Sequence, residues 1–104
     1  MELKHFEQLN DAAKSLSTRG IEIYEHHYFG VAFGNWTVVA GKRKERVRFD
    51  WDGREAFLTI SEASFPDSQH ATEWNQTKQM GINSTDGGEV WRAVVEFLEV
   101  KFAV

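Results

Sequence analysis

Apolar residues at Leu3, Phe6, Leu9, Ala12, Ala13 and Leu16 recur at steps of three and four, broken once. That period marks one face of an amphipathic helix. Glu2 and Glu7 near its start and Lys14 near its end suit the helix dipole, and Gly20 is placed to end it. From Ile21 to Ala40 β-branched and aromatic residues dominate, and strands are expected. Alternation sets Ile21, Ile23, His27 and Phe29 on one face, with Glu25 among them as a misfit. Glu22, Tyr24, His26 and Tyr28 fall on the other. Gly30 and Gly34 interrupt the run, and a turn near Gly30 predicts two strands rather than one very long one.

"RVRFDWDGREAFLTI" then gives two alternating runs joined by Asp52-Gly53. Asp-Gly suits a two-residue type I′ turn. This register pairs Trp51 with Arg54, Phe49 with Ala56 and Val47 with Leu58. It gives Val47, Phe49, Trp51, Ala56, Leu58 and Ile60 one apolar face, and it sets Asp50 opposite Glu55. Residues 61–88 are polar and weakly periodic. Pro66 stops the strand, and a short helix carrying Ala71 and Trp74 is the expectation beyond it. Asp86 and Glu89 have capping-box spacing. Val90, Trp91, Val94, Val95, Leu98 and Phe102 then repeat at helical spacing. The order is helix, about four antiparallel strands, an irregular segment, helix. These elements predict an α+β two-layer sandwich over residues 1–104, with the C-terminal helix packed on one face of the sheet.

Composition narrows the classes. There is no cysteine, which excludes disulfides, thiolate metal sites and cysteine catalysis. The start "MELKHFEQLN" has no apolar core of the signal-peptide kind, and no run is long enough for a membrane helix. The expectation is a cytoplasmic protein without membrane contact, in which the sequons at Asn35, Asn75 and Asn83 are incidental. Aromatic residues make up 13% of the chain, with four Trp. That favours a sheet with large side chains or a surface that binds something flat or apolar.

Charge is segregated. Residues 42–54 hold six cations against three carboxylates, net +3, while the remainder nets −7. Lys42, Arg43, Lys44, Arg46 and Arg48, followed by Arg54, therefore form a candidate nucleic-acid grip on the hairpin 42–48. A solvated hairpin end explains the same residues. Helix–strands–helix order is shared with double-stranded-RNA-binding domains, but a lysine-rich start to the second helix is then expected, and here "STDGGEVW" is acidic. His26 and His27 are adjacent and point to opposite faces of a strand. A metal site from His26 with Glu22 or Glu25 and His70 matches no ligand motif. "GKRK" lacks the spacing of a phosphate loop, and no serine stands in a nucleophile elbow. No catalytic residue, metal or cofactor is expected. A pocket between sheet and helices, using His27 or His70, is the enzyme-like alternative.

The remaining signal is aromatic. Tyr24, His26, Tyr28, Trp36 and Phe57 are expected to point away from the helices. An exposed patch of that kind marks a partner surface, unless residues 61–88 fold over it with Trp74 packing there. The sequence thus predicts a small soluble, non-catalytic protein-interaction module. Its expected partner is a second copy, as a homodimer, or another protein.

Overall fold

A computed structural model describes residues 2–30, 34–64, 74–83 and 87–103. Helix α1 (Glu2–Ser17) is followed by strands β1 (Glu22–Phe29), β2 (Asn35–Lys42), β3 (Glu45–Asp52), β4 (Phe57–Ser64) and β5 (Asn75–Gly81), then helix α2 (Gly88–Lys101). The strands form one antiparallel sheet in chain order, β1-β2-β3-β4-β5. Both helices cover one face. Ala12 and Leu16 of α1 and Val90, Trp91, Val94 and Leu98 of α2 share a core with Val38, Ala40, Val47, Phe49, Leu58 and Ile60. The α+β sandwich is as expected, with five strands rather than about four.

Helix α1 ends where Gly20 turns to φ 75° and the Ile21 N–H returns to the Leu16 carbonyl at 3.1 Å. A left-handed glycine lets the chain leave the helix while one of its last carbonyls stays bonded. The helices run side by side in the same direction. Gln8 and Ala12 share a groove with Gly88, Trp91 and Val95, and Arg19 beyond the end of α1 meets Glu99 at 2.7 Å. At the far end Lys101 of α2 bonds Glu62 of β4 and lies 3.8 Å from Glu45 of β3. The hydrogen bond from Lys101 is the main reason the Glu62 carboxyl sits below its ordinary pKa.

The hairpin after Asp52 differs from expectation. Residues 53–56 form a four-residue turn, Asp52 pairs with Phe57, and Trp51 pairs with Leu58. The Asp52 carboxylate accepts the N–H groups of Arg54 (3.0 Å) and Glu55 (3.1 Å), and Ala56 takes the left-handed turn at φ 58°. An aspartate that bonds the backbone beyond it opens a turn instead of sitting at its centre. The register therefore moves by four residues. Four is even, so Val47, Phe49, Trp51, Leu58 and Ile60 keep the common face that alternation assigned. Asp50 now opposes Thr59, not Glu55.

Three further expectations change. Residues 75–81 are a strand, which replaces the helix expected there; Ala71 lies outside the described residues. "NQTKQMG" has no apolar alternation because only its Met80 packs against the core. The N-cap of α2 is Gly87, at φ 86° and without a side-chain cap bond, so Glu89 does not complete a capping box at that position; Asp86 lies outside the described residues. The tight turn of the β2–β3 hairpin is Arg43-Lys44, with Lys42 opposite Glu45 and Arg43 at φ 58°. Before it, Gly41 allows no side chain: a Cβ there would stand 2.1 Å from the Glu45 carbonyl oxygen.

Candidate functional site

The five aromatic residues expected on one outer face are divided between the two faces. Trp36 takes the helix side with Val38 and Ala40 of β2, and in β1 the register with β2 shifts between Ile23 and Glu25. An extra residue at such a bulge reverses the alternation beyond it. Ile23 thus shares the helix side with His26 and Tyr28, while Glu25, His27 and Phe29 take the open side. The misfit of Glu25 beside Ile23 was the sequence's trace of this bulge.

On the helix side, His26, Tyr28 and Trp36 converge with residues of both helices. The His5 and His26 rings face each other through their Nε2 atoms at 2.8 Å. One of these atoms must donate and the other accept, so the accepting ring is neutral in this arrangement. Tyr28 stacks on His5 at 4.1 Å between centroids. Trp36, only 4% exposed, stacks on Trp91 at 4.6 Å and 8° between planes. Burial first, and the neighbouring His26 second, lower the His5 pKa from 6.5 to about 4. His26 is also lowered, by burial and then by His27.

His5 and Trp91 did not emerge from the sequence as site residues. His5 belongs to the series His5, Leu9, Ala12, Leu16, spaced four, three and four, which is the stripe that α1 turns inward. Phe6, which the apolar pattern favoured, is 48% exposed. A polar residue on the correct helical phase was the available signal. The rings open onto a cleft of about 290 Å³ at the amino ends of both helices, lined also by Lys4, Gln8, Gly34, Trp51, Gly87 and Val90.

On the open side, Tyr24 and Phe57 stand at opposite ends of the sheet. The Arg46 guanidinium lies 3.8 Å above the Tyr24 ring. Phe57 packs near Gly81 and is 43% exposed. Between them the surface is polar. Asp50 accepts from the Thr37 hydroxyl at 2.7 Å and pairs with Arg48 at 3.0 Å. Val39 is buried there, and Trp74 joins it, Glu25, His27, Phe29 and Arg48 around a shallow cavity of about 370 Å³. Trp74 therefore reaches across the open face; residues 65–73, the rest of the expected cover, lie outside the described residues.

The basic residues are dispersed. Arg43 and Lys44 form the exposed turn, and Lys42 donates to the Arg19 carbonyl at 3.2 Å. Arg46 bonds the carbonyls of Arg43 (2.6 Å) and Glu45 (3.0 Å). Arg48 is held by Asp50, and Arg54 sits in the turn at the other end of β3. Glu25 and His26 face opposite sides of β1, and His70, a member of the metal set weighed from the sequence, lies outside the described residues. His27 is exposed, 3.7 Å from Glu25. Among the described residues no three metal-binding side chains gather, and no helix is long and apolar enough to cross a membrane. No family model, curated protein or solved structure matches this chain.

Proposed function

We propose that the protein is a non-catalytic interaction module that forms a homodimer through the outer edge of β1. The observation that carries this reading is the character of that edge. β1 pairs with β2 alone among the described strands, has neither lysine nor proline, and exposes Tyr24 (43%) and Phe29 (51%). Edge strands are commonly guarded by lysine, proline, a bulge or very short length; the bulge of β1 precedes Glu25 and leaves 25–29 regular. Antiparallel pairing of two β1 strands about a twofold axis at His26 would set each copy's Glu25 opposite the other copy's His27. Both residues lie on the open face, and opposite charges across strands favour the pair when His27 is protonated. The contact surface thus moves from the five-residue aromatic face to Tyr24, Glu25, His27 and Phe29. Nucleic acid is the less supported partner, because Arg46 and Arg48 are engaged within the fold. The lack of cysteine fits a cytoplasmic location.

Native mass spectrometry and light scattering over a dilution series test this reading. The expected result is a dimer that Glu25→Lys converts to a folded monomer, since the change removes the cross-pair and places lysine on the edge. A monomer at every concentration, or an undiminished dimer in Glu25→Lys, overturns it.

A further inference from the structure

We infer that the cleft at the amino ends of the two helices is a binding site for a small, flat heteroaromatic molecule that is not a cation. This rests on the cleft and not on self-association at β1. Four aromatic side chains, Tyr28, Trp36, Trp51 and Trp91, line a space of about 290 Å³ that is open to solvent. Ligand sites in proteins begin near roughly 300 Å³ and are walled mainly by apolar and aromatic groups with a few polar ones. The size therefore suits one or two fused rings.

The polar groups define the chemistry. His5 lies in the cleft wall with its Nε2 held by His26, and Gln8 stands beside it on the next turn of α1. With Nε2 engaged by His26 the imidazole keeps Nδ1 for a ligand, and the carboxamide offers both a donor and an acceptor. That combination matches a ring edge carrying both N–H and a lone-pair nitrogen. Lys4 is the charged side chain among the described residues of the cleft lining, and a cation bound there would meet its ammonium group. No carboxylate lines the cleft among the described residues, in a chain with 16 Asp and Glu.

Among the described residues, two glycine conformations bear on the mouth. Gly34 and Gly87 hold φ of 72° and 86°, which L side chains rarely adopt. A Cβ on Gly34 would stand 3.8 Å from the Tyr28 hydroxyl, and one on Gly87 would stand 3.0 Å from Gln8 Oε1. Neither position supplies a side chain that would plug the opening. The alternative, an imperfectly closed core, would leave the site without preference among ring compounds.

The test is a titration of the full chain with adenine, with indole, and with benzyltrimethylammonium as the cationic control. Tryptophan fluorescence and the indole N–H resonances are followed. The expected result is saturable binding of adenine with shifts confined to the cleft tryptophans, and no saturation with the ammonium. Trp51→Leu, at a partly buried ring, should weaken adenine binding about tenfold, the scale of one lost base–aromatic stack. Gln8→Leu, on the helix surface, serves as a second variant and should weaken adenine more than indole. Absence of saturable adenine binding, equal binding of the ammonium, or unchanged affinity in both variants overturns the inference.

Discussion

On the helix side of the sheet, Tyr28, His26 and Trp36 meet His5 and Trp91 ring to ring. On the open side, Tyr24 and Phe57 stand at opposite ends with an Arg48–Asp50–Thr37 network between them. Both faces draw on the same residue types. Their different use comes from parity, and in β1 parity is set by one bulge. Because the side-chain period of a strand is two, a single inserted residue transfers every later ring to the other face. Aromatic content therefore says that a sheet has large side chains, without saying which layer they serve.

The contrast between the faces can be broken most directly by truncating one phenylalanine on each. Phe49 is fully buried beneath the helices, and Phe49→Ala should cost about 3–5 kcal/mol of stability, as for other core phenylalanines. Phe57→Ala should cost about 1 kcal/mol or less, because nearly half of that side chain is already in water. Urea midpoints of the two variants decide it. Equal losses would make the open face a second core.

Acid should act on the helix side next. His5 titrates near 4 in the folded protein and near 6.5 unfolded. A lowered histidine pKa means the folded state holds the neutral ring, so its contribution is present above 6.5. It is lost as pH falls from 6.5 towards 4, amounting to about 3 kcal/mol at most. Urea midpoints measured across that window should fall with pH. His5→Phe should reduce the slope and leave the part that His26 carries.

The smallest effect belongs to the open-face ion pair. Arg48 and Asp50 are partly exposed, and Arg48→Ala should lower stability by about 0.5–1 kcal/mol. Thermal denaturation at low and high salt would show a difference that shrinks with salt. A larger, salt-independent loss would indicate that the Arg48 stem packs under Trp74.

Much of this architecture was legible because the signals were periodic. The stripe of α2 and the facing alternations of β3 and β4 name the core residues even though the turn between them was misassigned. The four-residue slip left their faces intact. The fifth strand was not legible, because an edge strand with a polar outer face and one core-facing methionine has no period to detect. The cluster around His5 was hidden for a different reason. An apolar count passes over a histidine, although its phase with Leu9, Ala12 and Leu16 placed it on the buried stripe. Tyr28 and His26 were visible as residues, but their layer depended on the bulge that only Glu25 betrayed, whereas Trp36 shares a phase with the buried Val38 and Ala40 of its own strand.

The parallel arrangement of α1 and α2 also bears on the order in which the chain assembles. Every strand pairs with its neighbours in sequence, so the β2–β3 and β3–β4 hairpins close short loops at small entropic cost. Docking α1 against α2 joins the two ends of the chain and closes nearly all of it. Contacts of such long range slow folding when they must form early. Here the meander can form without them, and the helix pair is free to close last as a clasp over the finished sheet. Substitutions on the α1–α2 seam should then act mainly on how fast the clasp opens, and hardly on how fast the sheet forms.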